Sequence, residues 1–132
     1  MIYGIGVDLV SIPRIERVMD RWGERFVNRV FTPAEARFCY QRGFPPSAFA
    51  LRFAAKEAFS KALGLGMRKG IKWNDVEVFN CPTGKPSLRL HGRSSEILSK
   101  NGITGIHLSL SDEREYGVAM VVLESTEGLP RD

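Results

Sequence analysis

Apolar and polar residues alternate with period two over Met1–Val10, placing Tyr3, Ile5, Val7 and Leu9 on one face of a strand and Gly4, Gly6 and Asp8 on the other. From Ser11 the period lengthens. Ser11 as N-cap and Pro13 in the first turn open a helix with Ile12, Ile15, Val18, Met19 and Trp22 as its buried stripe and Gly23 at its end. Phe26, Val27, Val30 and Phe31 anchor a short irregular or helical turn. Thr32-Pro33-Ala34-Glu35 combines a cap, a first-turn proline and a carboxylate at N3, which predicts a helix through about Tyr40. Gly43-Phe44-Pro45-Pro46 interrupts it. Ser47 then caps a long helix with Leu51, Ala55, Ala58, Phe59, Ala62 and Leu63 inward and Gly64 or Gly66 as its stop.

The second half reads mostly as strands. Gly64 to Gly70 is a basic connector carrying Arg68 and Lys69; it follows a helix and lacks Gly-Lys-Ser/Thr, so it is neither a Walker loop nor a dinucleotide fingerprint. Asp75 to Phe79 sets Val76 and Val78 against Glu77, which predicts a strand with Ser87 to Leu90 as partner and the Cys81 to Pro86 segment as the turn. Gly92 to Lys100 is a helix with Ile97 and Leu98 inward, stopped at Asn101-Gly102. Ile103 to Ser111 and Tyr116 to Glu124 are the last strands. The run Gly117 to Leu123 is apolar on both faces, so its strand is central or lies at a subunit seam. Strands and helices do not alternate as repeating units, which favours an α+β fold over a doubly wound sheet. We expect one domain over 1–132, with 125–132 a flexible tail.

Composition narrows the class. No apolar run approaches the length a membrane span needs, and the first residues have no basic leader or cleavage-like site, so a cytoplasmic protein is expected. Cys39 and Cys81 lack the spacing of a zinc site or a disulfide framework and read as packing or incidental thiols. The net charge of +4 and pI near 9.3 favour an anionic partner. Arg14, Arg17, Arg21 and Arg25 recur at spacings of three and four. On one continuous helix they form a basic stripe, with Arg29 just beyond.

The densest chemistry lies in Arg52-Phe53-Ala54-Ala55-Lys56-Glu57-Ala58-Phe59-Ser60-Lys61-Ala62-Leu63-Gly64. Glu57 and Lys61 are one helical turn apart and share a face, while Lys56 points elsewhere. Alone, such a pair is an ordinary surface ion pair. Beside Asp8, on a strand face emptied of other side chains, it can offer metal-binding oxygens and a phosphate-neutralising charge to one ligand. His107, Ser109 and Ser111 share a face of their strand, opposite Leu108 and Leu110.

Ile5-Gly6-Val7-Asp8, the Arg52 to Gly64 helix and His107-Leu108-Ser109-Leu110-Ser111 stand in the order and approximate spacing of the phosphopantetheinyl transferases. The chain resembles their small, single-domain holo-acyl-carrier-protein synthase type over nearly its whole length. The resemblance implies an antiparallel sheet packed against the long central helix, and transfer of 4′-phosphopantetheine from coenzyme A to a serine of apo acyl carrier protein, as in fatty-acid or polyketide synthesis. It implies magnesium held by Asp8 and Glu57, with Asp8, Glu57 and Lys61 catalytic and Lys61 on the phosphates. Coenzyme A would be held by Lys61, Gly64, Gly84, Lys85, Pro86, His107 and Ser109, with Gly84-Lys85-Pro86 at its nucleotide end. The serine proton would pass to a carboxylate or a metal-bound water.

By the same resemblance Arg14, Arg17, Arg21 and Arg25 dock the acidic carrier protein, and the chain forms a homotrimer with active sites between subunits. No nucleic acid or membrane partner is implied. Asp112 departs from the pattern, because many relatives carry a second imidazole there, although Asp112-Glu113-Arg114 occurs as a variant within the group. Two other readings compete: a small basic nucleic-acid-binding module, and a magnesium-dependent phosphohydrolase using the same carboxylates with water as nucleophile.

Overall fold

Gly4 and Gly6 let the first strand lie directly on the longest helix: a methyl group at either position would fall within 2 Å of a helix carbonyl oxygen, that of Ala62 or of Ala58. The computed structural model describes residues 1–67 and 70–126; Arg68, Lys69 and the predicted tail from 127 onward lie outside them. In chain order the elements are β1 (Ile2–Ser11), α1 (Ile12–Trp22), α2 (Glu24–Val30), α3 (Pro33–Tyr40), α4 (Pro45–Leu63), a 3₁₀ turn (Trp73–Asp75), β2 (Val76–Asn80), β3 (Pro86–Leu90), α5 (Gly92–Lys100), β4 (Ile103–Glu113) and β5 (Tyr116–Ser125). The fold is α+β. β1, β5 and β4 form an antiparallel sheet in that order, β2 and β3 form a separate hairpin, and α4 packs across β1 and β5.

The doubly apolar β5 is the central strand, as its sequence predicts. Gly117, Ala119, Val121 and Leu123 turn toward α4, whose inward surface is Ala54, Ala55, Ala58, Phe59 and Ala62, so small side chains bring helix and sheet close. The opposite face of the sheet is uncovered. Ile5, Val7 and Leu9 are 58%, 52% and 69% exposed, and Met120 lies beside Val7 in the register, exposed as well. Tyr3 leaves that row at an irregularity between Ile2 and Gly4 and packs partly against the core.

Three expectations are corrected. Trp22 is not buried: Gly23, at φ +53°, turns the chain, α2 supplies Val27 and Val30 to the core, and Trp22 stays outside with the guanidinium groups of Arg21 and Arg25 over its ring. Gly23 ends α1 as expected, so the stripe is divided between two helices, with Arg14, Arg17 and Arg21 on α1 and Arg25 and Arg29 on α2. The N-cap of α4 is Phe44, not Ser47, because Pro45 and Pro46 fit a first turn whose N–H groups need no helical acceptor. Ser125, counted with the tail by sequence, closes β5, its N–H donating to the Met1 carbonyl at 2.7 Å.

Glu77, read as the polar side of β2, is buried. It accepts from Thr32 Oγ1 at 2.6 Å, lies 3.0 Å from His91 Nε2, and has Arg89 nearby. Burial alone would raise its carboxyl, but the bonds from Thr32 and His91 and the charges of His91 and Arg89 hold it below its ordinary value of 4.5. A carboxyl depressed by folding contributes stability that is complete above the ordinary value and lost as pH falls through the lowered one. The thermal midpoint of the wild type should therefore fall more steeply in that acid window than that of Glu77→Gln; parallel pH profiles would contradict this. Cys39 is fully buried and its thiol is pushed up to about 12, chiefly by burial, so it carries no nucleophilic chemistry at neutral pH.

Candidate active site

Period-two alternation on β1 turns Asp8 toward α4, and the glycines before it let Glu57 and Lys61 of α4 approach the strand. Lys61 Nζ donates to Asp8 Oδ1 and to the Val7 carbonyl, both at 3.0 Å. Lys61 thus pairs across to Asp8 of β1 and not back along the helix to Glu57. Gly64, left-handed at φ +81°, stops α4 immediately after this turn.

Asp8 and Glu57 line one cavity of about 330 Å³, together with Arg14, Val18, Phe26 and Phe53. Burial first, and then the negative charge of Asp8, raise the Glu57 carboxyl above its usual range, while Lys61 opposes both. Two carboxylates lining one cavity, close enough for Asp8 to act on Glu57, are a donor set suited to a divalent cation. No group of three or more His, Cys, Asp or Glu side chains forms a cage among the described residues. The two carboxylates fit magnesium, which keeps waters and substrate phosphate oxygens in its shell and takes only one or two carboxylates from protein.

The other predicted residues do not join this cavity within one chain. Arg52 is buried with its guanidinium 4.0 Å from the Phe38 ring centroid. Its Nη2 donates to Asn80 Oδ1 at 2.8 Å, and Asn80 Nδ2 donates to the Gly84 carbonyl at 2.9 Å, so Arg52 is tied to the Gly84-Lys85-Pro86 turn. Pro86, Arg42, Arg52, Asn80, Phe38 and Asp112 share a second cavity of about 400 Å³, while Gly84 and Lys85 are exposed. Arg52 Nε is buried without a hydrogen-bond partner. Sequence reading missed Arg42 and Asn80, which carry no motif; only their position beside Arg52 marks them.

His107 and Ser109 lie on the other face of the sheet. Asp8, Ala119 and Leu110 form one cross-strand row facing α4; Ile5, Val122 and His107 form another, an odd number of residues away and so facing outward. His107 Nε2 pairs with Glu124 Oε1, a partner with no sequence signal, and holds that carboxyl below its ordinary range. Arg14, Arg17, Arg21 and Arg25 are all exposed, and Phe26 lines both the Asp8–Glu57 cavity and a shallower one of about 270 Å³ with Trp22, Arg25 and Arg29. The cationic surface is therefore continuous with the carboxylate site.

Residues 4–121 match the sequence model of the 4′-phosphopantetheinyl transferase superfamily. A holo-[acyl-carrier-protein] synthase of Syntrophus aciditrophicus (strain SB) is 48% identical over 124 residues, 94% of this chain and 97% of that protein. The crystal structure of holo-[acyl-carrier-protein] synthase from Neisseria meningitidis superposes with a TM-score of 0.89 at 41% identity, covering 95% of this chain and 100% of that one. The Helicobacter pylori holo-[acyl-carrier-protein] synthase, crystallised in complex with coenzyme A, has a TM-score of 0.81 at 33% identity over 91% of this chain and 99% of that one.

Proposed function

Since the chain belongs to the 4′-phosphopantetheinyl transferase superfamily, we propose that it is a holo-[acyl-carrier-protein] synthase, moving 4′-phosphopantetheine from coenzyme A to a serine of apo acyl carrier protein. The observation that carries this reading is the meeting of Asp8 and Glu57 at one cavity, with Lys61 bonded to Asp8 and an exposed surface of arginines beside it. Asp8 and Glu57 would hold magnesium. When bound, it would offset the negative charge of the pyrophosphate and of the departing 3′,5′-ADP.

In the transfer the serine oxygen forms a bond to the phosphorus that carries the pantetheine, and the bond from that phosphorus to the 3′,5′-ADP oxygen breaks. The serine proton would pass to a carboxylate or to a metal-bound water. Lys61, half-exposed and anchored on Asp8 and the Val7 carbonyl, presents a point charge to the phosphates. The second cavity, with Arg42, Arg52 and Pro86, offers cations and an apolar wall to the nucleotide end of coenzyme A. The reaction would take place in the cytoplasm, in fatty-acid synthesis, with residues 1–132 acting as one domain. No helix among the described residues is long and apolar enough to cross a membrane.

The intact mass of apo acyl carrier protein after incubation with this protein, coenzyme A and magnesium tests the reading. A gain of one phosphopantetheinyl group that disappears with chelator is expected; no gain with either a fatty-acid or a polyketide carrier would overturn it. Carrier docking on α1 and α2 is checked separately: Arg21→Glu should raise the Michaelis constant for the carrier by about tenfold and leave that for coenzyme A unchanged. Equal effects on both constants would contradict a docking role.

The homotrimer is part of the same proposal. Support comes from the apolar sheet face of Ile5, Val7, Leu9 and Met120, and from the outward placement of His107 and Ser109, which could meet the phosphate ligand of a neighbouring subunit but not that of their own. Val7→Lys combined with Met120→Lys should convert the trimer to monomer by light scattering and abolish transfer. A wild type that is monomeric and fully active at the same concentration would refute the trimer.

A further inference from the structure

Lys56 precedes Glu57 on α4 and has no exposed side-chain surface. Its Nζ donates to Glu35 Oε1 at 2.8 Å, to the Trp73 carbonyl at 3.1 Å and to the Val76 carbonyl. An ammonium group has three protons, and these three acceptors use them all. Glu35 is equally committed: Oε1 also accepts from the Thr32 N–H at 2.9 Å and Oε2 from the Val78 N–H at 2.8 Å. One buried ion pair thus fastens α4 to the start of α3, the 3₁₀ turn and β2.

Stability is a weak reason for burying two charges, since loss of hydration offsets most of their attraction. What the pair does supply is geometry, and it reaches the carboxylate cavity by two routes. The first is α4 itself, where Lys56 and Glu57 are neighbours. The second runs through Trp73: its carbonyl is held by Lys56, and its ring stacks on Phe53 with centroids 5.1 Å apart and planes 18° from parallel. Phe53 lines the cavity that Asp8 and Glu57 share.

We propose that Lys56 is a positioning residue: through its bonds to Glu35 and the Trp73 carbonyl it fixes the rotation of α4 and the seat of the Trp73 ring, and so the placement of Glu57 and Phe53 in the reaction cavity. The inference rests on the transferase reading, and the wild type in the same assay keeps the two apart. An inactive wild type would count against the reading, whereas the variants below decide the role of Lys56.

Lys56→Met combined with Glu35→Gln removes both charges at nearly constant length, so no lone ion is left buried. Glu77→Gln is the control, because its carboxylate is bonded to Thr32 and His91 with Arg89 nearby, and it reaches Lys56 of α4 by charge alone. At a temperature where circular dichroism shows every protein folded, the double variant should lose roughly tenfold in kcat with the Michaelis constant for coenzyme A within about twofold of wild type. The metal-free double variant should also lose near-ultraviolet dichroism from the Phe53–Trp73 stack. Glu77→Gln should keep wild-type kcat. A folded double variant with wild-type kcat, or an equal loss in Glu77→Gln, would overturn the proposal. If the double variant does not fold, Trp73→Leu decides: it spares the ion pair, a loss of several-fold in kcat is expected, and wild-type kcat would overturn the second route and the proposal with it.

Discussion

Alanine at Asp8 or at Glu57 is expected to lower kcat/KM for transfer by about 10³-fold, the scale of removing one charged group from a preorganised reaction site. Both side chains are needed because neither reaches its effect alone. Asp8 anchors Lys61 as well as facing the cavity, and the raised carboxyl of Glu57 depends in part on the charge of Asp8. The two losses should therefore be strongly non-additive, with the double variant little slower than either single one. The fold should not pay for this. Lys61 is half-exposed in its pair with Asp8, and an ion pair open to solvent on one side contributes at most about 1 kcal/mol. Asp8→Asn also removes a repulsion from Glu57, so in chelator its thermal midpoint should stay within about 3 °C of wild type. Near-wild-type transfer by either alanine variant would sink the two-carboxylate site, and a collapse of the thermal midpoint would make the loss structural.

What the chain discloses about itself follows from how local the signal is. Caps and stops were legible because they act over four residues: Ser11, the Thr32–Glu35 capping box and Gly64 all serve as read. The central position of β5 was legible from its two apolar faces. Trp22 was misread because helical period assigns a face without saying whether the next element covers it, and α2 begins too soon to do so. Glu35 was read as a cap and nothing more. Its second oxygen meets Val78, and Lys56 meets it from 21 residues away, which no local pattern records. The same limit explains the site. Asp8, Glu57 and Lys61 are marked by spacing and resemblance, but that His107 faces away from Asp8 depends on the cross-strand register of three strands.

Gly6→Ala should be among the most damaging single substitutions in this protein, although it adds one methyl group. The new Cβ would stand 1.8 Å from the Ala58 carbonyl oxygen and 2.7 Å from the Ala62 nitrogen. Both are backbone atoms of α4, so no rotamer change relieves the overlap; strand and helix must separate. That separation would open the interface between β1 and the Ala58–Ala62 surface, where small residues permit a close approach. A cost above about 4 kcal/mol is expected, a range reserved for such named mechanisms, with a fall in thermal midpoint of roughly 15 °C or more. Gly43→Ala is the matched control: nothing lies within 4 Å of its added Cβ, and the change should stay within about 0.5 kcal/mol. The effect on chemistry follows from the same geometry. Lys61 bridges α4 to the Val7 carbonyl and Asp8 at 3.0 Å, bonds that cannot survive a shift of the helix by an ångström. Any Gly6→Ala protein that remains folded in the cold should therefore transfer about 10²-fold more slowly, with the loss in kcat. A folded variant with wild-type kcat would show that the close seating of β1 on α4 serves stability alone and leaves the Asp8–Glu57–Lys61 geometry untouched.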